Sequence, residues 1–187
     1  PYYDPYQAAH VIEAVKRAEM SITTCPPTTM MLGARLYPEP KGRGVTRVKE
    51  FLRAGVNIAF AQDNVLDPFN ENFGDADPLK NGFLAAYAAQ LGSKDELEVL
   101  YDMATEKAAK VLGLLNYGMN PGCRGDLVVT PVASARDAFR LQPPRRFVIR
   151  RGSVIAESMV DRRFAWETGG GAADFFGAVG AYSGRAE

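Results

Sequence analysis

Val56-Asn57-Ile58-Ala59-Phe60-Ala61-Gln62-Asp63-Asn64-Val65-Leu66-Asp67-Pro68-Phe69 decides how the rest of the chain is read. The stretch opens as a short apolar run and breaks off at Asp63 and Asn64. An apolar run of this length, bounded by polar residues, reads as a strand buried on both faces, as in a parallel sheet. The carboxyl ends of such strands are where α/β folds gather their chemistry. A carboxylate buried there without a partner is costly, so Asp63 predicts a metal ion or a cationic group beside it.

Working outward toward the N-terminus, Thr46 is placed to cap a helix running to about Ala54, with Val48, Phe51 and Leu52 on one face and Gly55 at its end. Residues 28–45 carry Pro38, Pro40, Gly42 and Gly44 and read as a loop. Before them, Met20–Thr24 is a strand that Cys25-Pro26-Pro27 stops, because proline cannot donate to a ladder. Further back, Ala8, Val11, Ile12, Val15 and Ala18 recur at helical spacing over Gln7–Glu19, with Asp4 as cap and Pro5 in the first turn. Short strands alternating with amphipathic helices predict an α/β fold with parallel strands and crossover connections.

Toward the C-terminus a polar loop, Asn70–Pro78, leads to helices over Leu79–Leu91, Lys94–Ala104 and Thr105 to about Leu112. Ser93 followed by Glu96 spells a capping box. The pattern then changes to strands: Leu127–Thr130, and a hairpin of Phe147–Arg150 and Val154–Ala156 around Arg151-Gly152-Ser153. The expected division is an α/β part over 1–118, a small β part over 119–158, and a flexible tail over 159–187 containing Gly169-Gly170-Gly171.

Composition excludes several functions. The 187 residues are 47% apolar and carry 22 basic and 22 acidic side chains, so neither a nucleic acid nor an anionic membrane finds an electrostatic grip. No apolar run approaches the roughly 20 residues of a membrane helix. Two cysteines make no disulfide framework and no secretory pattern opens the chain, so the expected location is cytoplasmic. One histidine, His10, cannot complete a metal site that needs several. Pro1 to Pro5 starts as though cut from a longer chain.

Gly44-Val45-Thr46-Arg47-Val48-Lys49-Glu50, Ala54-Gly55-Val56-Asn57-Ile58 and Asp63-Asn64-Val65-Leu66-Asp67-Pro68-Phe69 together resemble the cytosine deaminase group of the amidohydrolase superfamily. The resemblance continues through Tyr101–Thr105, Ala108–Leu112, Tyr117-Gly118, Gly125–Val129 and Val148–Ile155. It implies the C-terminal portion of a (β/α)8 barrel with part of a small β-sandwich domain. Met20–Thr24 then matches strand seven and Val56–Ala61 matches strand eight. A whole barrel takes about 250 residues, so the resemblance implies an N-terminal half elsewhere, or an oligomer partner that compensates for it.

The implied activity is metal-dependent hydrolysis of a non-peptide C–N bond, such as deamination of cytosine or a related nitrogen heterocycle. The metal, zinc or iron, lowers the pKa of a bound water so that hydroxide forms near neutrality. Asp63 matches the family's last metal ligand and would also accept the water's proton, roles that suit a hard anionic oxygen. From residue type and place alone, Asp63 serves equally well as a helix cap. Asn64 stands where cytosine deaminase has an acid facing substrate; its amide both donates and accepts, which favours a different ring as much as cytosine. Phe69 matches a pocket-lining aromatic, or is a loop aromatic resting on the core. With most ligands absent, the 187 residues alone are expected to be inactive. The rival expectation is a non-catalytic assembly or binding domain that retains the fold.

Other residues carry less. Gln62 stands where relatives have histidine or serine and would support the site from behind. Cys25 has no histidine partner and reads as a buried, inert thiol. His10 reads as a helix-surface residue. Arg124-Gly125-Asp126 leads into a strand rather than marking adhesion, and Lys41–Gly44 lacks the spacing of a phosphate loop.

Overall fold

The computed structural model describes residues 3–42, 44–68 and 74–160. Phe69, the first residues of the Asn70–Pro78 loop and the triglycine of the tail lie outside the described residues. The described residues divide into two compact units, one of those up to Cys123 with Ala133–Gln142, the other of Arg124–Val132 with those from Pro143 on.

In the first unit, helix α1 spans Pro5–Arg17 and starts as its sequence dictates: Asp4 Oδ1 accepts from the Gln7 N–H at 2.9 Å, and Pro5 occupies the first turn, where an N–H would have no acceptor. Strand β1, Ile22–Thr24, follows, then α2, Pro26–Leu32, and α3, Val48–Arg53. Strand β2 is Ile58–Phe60 and pairs parallel with β1 in the register Ile22 to Ile58 and Thr24 to Phe60. Helices α4 (Pro78–Ala89), α5 (Lys94–Ala104) and α6 (Glu106–Val111) come next, and α7 (Ala135–Leu141) rejoins this unit after a strand of the other.

All three residues of β2 are buried, as an apolar run in a parallel pair requires. Ile58, Leu100 and Met103 are fully enclosed, with Ile12, Val48, Phe51, Val56, Phe60, Ala85, Leu91 and Phe139 packed around them. Burying one such aliphatic side chain stabilises by about 1.5–3 kcal/mol, so this cluster anchors the strand that carries Asp63. Asn57 secures the other end of β2: its Nδ2 donates to Ser21 Oγ at 3.0 Å and to the Lys107 carbonyl at 3.1 Å.

Two local expectations are corrected, and one helix is added to them. A helix, α2, forms within the stretch read as a loop from residue 28. Proline in a first turn removes no helical hydrogen bond, so Pro26-Pro27 can begin a helix as readily as end a strand. Thr46 does not cap α3; Arg47 holds that position without a side-chain cap. The Thr46 hydroxyl is taken up instead by Thr24 Oγ1, which donates to it at 2.8 Å. Helix α7 was not anticipated; Ser134 Oγ caps it by accepting from the Asp137 N–H at 3.1 Å.

The second unit is a three-stranded antiparallel sheet in the order β3 (Leu127–Val129), β4 (Phe147–Arg150), β5 (Ser153–Glu157). The expected hairpin is present, with Arg151 and Gly152 at its turn, both at positive φ. Asp126 Oδ1 accepts from the Arg151 N–H at 2.8 Å, and the Gly125 carbonyl from Gly152 N–H at 3.1 Å. Residues 125–126 therefore serve that turn. Among the described residues no helix is long and apolar enough to cross a membrane.

Candidate functional site

The two parallel strands end level with one another. Thr24 pairs with Phe60, and the Ala61 N–H donates to the Thr24 carbonyl at 2.9 Å. Immediately beyond, Cys25 leaves β1 and Gln62 and Asp63 leave β2. Parallel pairing thus brings residues 38 positions apart to the same sheet end, which is why the strand order matters more than any local motif. The Cys25 thiol is pushed up from its ordinary pKa, first by partial burial and then by the negative charge of Asp63.

Asp63 is exposed and has φ +75°, in the left-handed region that non-glycine residues seldom enter. Aspartate and asparagine enter it more easily than other side chains because their short polar groups can bond locally. The backbone conformation turns the chain out of the strand at the residue that carries the carboxylate.

The loop around Asp63 is held from two directions. Thr28, on the first turn of α2, donates its hydroxyl to both the Gln62 carbonyl and Asn64 Oδ1, at 3.2 Å each. Asn64 in turn donates through Nδ2 to Asp67 Oδ2. From the other side Gly74 presses its backbone against the loop: a β-carbon there would lie 2.3 Å from the Asn64 carbonyl oxygen and 2.9 Å from Val65 Cα. Only glycine fits so close an approach.

Of the residues singled out in the sequence, Asp63 and Asn64 are adjacent on this loop and Gln62 contributes its carbonyl to the Thr28 contact. Phe69 lies outside the described residues. His10 sits on the exposed face of α1, its ring edge-on to Tyr6 at 4.3 Å between centroids. Cys25 is half-buried. Among the described residues no three His, Cys, Asp or Glu side chains come together as a metal site. Thr28 and Gly74 escaped sequence reasoning. For Thr28 the available signal was a hydroxyl two residues past a strand-ending proline; for Gly74, a glycine inside an otherwise acidic loop.

The amidohydrolase family matches residues 4–163. Pterin deaminase of Rhizobium rhizogenes is 33% identical over 163 residues, 86% of this chain and 36% of the relative. N-isopropylammelide isopropyl amidohydrolase of Pseudomonas sp. is 33% identical over 114 residues, 60% of this chain and 28% of the relative. The structure of 5-methylcytosine deaminase from Klebsiella pneumoniae with 5-fluorocytosine superposes with a TM-score of 0.81 at 29% identity, covering 87% of this chain and 39% of that one. The chain therefore spans less than half the length of each of these proteins. With the parallel strand pair, the acid at its carboxyl end and a family match over most of its length, the chain belongs to the amidohydrolase family as a cytosine-deaminase-like member.

Proposed function

We infer that this chain supplies the Asp63 end of the site in a metal-dependent hydrolase that cleaves non-peptide C–N bonds by deaminating a nitrogen heterocycle. The observation that carries the reading is the placement of Asp63: at the carboxyl end of a strand buried on both faces, on a backbone turned by a positive φ, in a loop pinned from two sides. A carboxylate presented in this way suits metal ligation and proton acceptance. The similar proteins named above, by their own names, act on pterin, 5-methylcytosine and N-isopropylammelide, which supports a heterocycle as substrate.

In this reading the metal is zinc or iron and would supply an activated water. Asp63 is one ligand of a larger set, and the described residues do not complete that set. The remaining ligands come from barrel strands beyond these 187 residues. The chain accordingly corresponds to the C-terminal portion of the (β/α)8 barrel, strands seven and eight, with part of the β-sandwich, and is inactive alone. Asn64, with Oδ1 turned to Thr28 and one N–H to Asp67, has a second N–H to offer a ring acceptor. Phe69 would wall the same pocket.

The test joins intact mass, metal content and turnover on one preparation. A polypeptide larger than 20.4 kDa, or a second chain, carrying stoichiometric zinc or iron and releasing ammonia or amine from cytosine, pterin or an alkylamino triazine supports the hydrolase. Asp63→Asn, which keeps the backbone conformation, should then abolish turnover. Survival of activity in that variant overturns the role of Asp63. A metal-free, inactive 20.4 kDa chain is what the hydrolase reading expects of these residues alone; an assembly with the rest of the barrel supplied that still binds no metal and turns over nothing favours an assembly or binding domain.

A further inference from the structure

We propose that Thr28 is a positioning residue for the Asp63 loop, setting the orientation of the Asn64 amide and the path of the backbone on both sides of Asp63. A threonine hydroxyl has one proton to give. Here that proton is shared between the Gln62 carbonyl, one residue before Asp63, and Asn64 Oδ1, one residue after it, both at 3.2 Å. The contact therefore straddles the acid. Because Oδ1 is the atom that faces Thr28, the Asn64 NH2 is turned away toward Asp67, where it donates. A hydroxyl on a neighbouring helix thus decides which end of the Asn64 amide a ligand meets.

The support is rigid at its own end. Pro26 and Pro27 occupy the first turn of α2 immediately before Thr28, and Pro26 is buried. Fixed φ angles in two successive residues leave that turn little freedom. The Thr29 N–H closes it by donating to the Cys25 carbonyl at 3.0 Å. Cys25 itself follows β1 directly. Thr28 is in this way tied to one strand and holds the loop that leaves the other.

The assignment rests on the hydrolase reading for its catalytic consequence, but not for its geometry, and two readouts separate them. The first is the nitrogen–proton spectrum of the side-chain amides of this protein, with the Asn64 pair identified by its loss in Asn64→Asp. Thr28→Val should move the Asn64 pair and the backbone amides of Asp63 and Asn64 while leaving the buried Asn81 pair in place. Thr28→Ser should return them. Should valine disturb folding, Thr28→Ala removes the hydroxyl without added bulk and gives the same readout. An Asn64 pair that stays put overturns the assignment, whatever the turnover.

The second readout is kinetic. In the active assembly Thr28→Val should raise KM for the heterocycle about tenfold, with kcat within about twofold and metal content unchanged, as expected when a group acts on ground-state and transition-state binding alike. Thr28→Ser should restore KM. A moved Asn64 pair in an assembly that holds the rest of the barrel and its metal yet turns over no heterocycle sinks the hydrolase and leaves Thr28 in its place.

Discussion

Lys49 Nζ lies 2.7 Å from Glu96 Oε1, so helix α3 is tied by a charge to the capping box of α5. The other carboxylate oxygen of Glu96 accepts from the N–H groups of Gly92 and Ser93, at 2.9 and 3.0 Å.

These contacts set a pH dependence. The bond from Lys49, then those from Ser93 and Gly92, hold the Glu96 carboxyl at about 2, below its ordinary 4.5. A depressed carboxyl pKa contributes stability that is complete above 4.5 and is lost as the pH falls toward about 2. Glu96→Gln should therefore melt below wild type near neutrality, with the gap closing between those two values. Thermal midpoints measured across that range check it; a gap independent of pH would refute the coupling. Added salt should shrink the gap, since both partners are reached by solvent.

Cys25 reports on Asp63. Burial and the Asp63 charge both raise the thiol, so the thiolate is scarce near neutrality. Asp63→Asn removes the charge and should speed alkylation of Cys25 at pH 8 by about two- to fivefold. Mass spectrometry of the labelled peptides distinguishes Cys25 from Cys123. An unchanged Cys25 rate would mean that the two side chains do not share a neighbourhood.

Gly82 weighs two opposing effects. It lies within α4, where alanine is the better helix former by about 1 kcal/mol. Yet a β-carbon there would sit 2.3 Å from Phe139 Cε1 and 3.0 Å from Phe60 Cζ, and both rings are buried. Overpacking a filled core costs about 1–3 kcal/mol. The Gly82→Ala variant should accordingly be less stable by up to about 2 kcal/mol. Urea unfolding with an unchanged slope checks it; a stabilised variant would show that Phe139 is free to move.

Gly74 faces the candidate site. Its β-carbon would displace the Asn64 carbonyl and Val65, both backbone, so nothing at the far end of a flexible side chain can yield. Gly74→Ala should lower turnover of the active assembly roughly ten- to hundredfold, the scale of an ångström misplacement at a reacting centre. Equal activity in wild type and variant would exclude this loop from the site.

What was legible in the sequence was mostly local. Asp4 before proline and Ser93 before Glu96 announce their helices because a cap and its acceptor lie within one turn. The Ile58–Phe60 run announces a buried strand because nothing polar interrupts it. Helix α2 was hidden because a proline pair ends one element and opens another with the same residues. Helix α7 is seven residues long, and its burial depends on Phe139 meeting Gly82 from a distant stretch of chain. The acid at the strand end could be named, but Thr28 could not, since its partner is 36 residues away and only the crossover brings them together.

The left-handed backbone at Asp63 also restricts the substitutions that neutral drift can sample there. Glycine, asparagine and aspartate occupy that region with least penalty, and aspartate is one nucleotide change from either of the others. A lineage that loses the carboxylate can slip to asparagine or glycine while keeping the loop's shape, and it can regain the acid by a single reversal. Alanine, the usual choice of the mutagenesis bench, lies off that path and would mix a backbone penalty with the loss of charge.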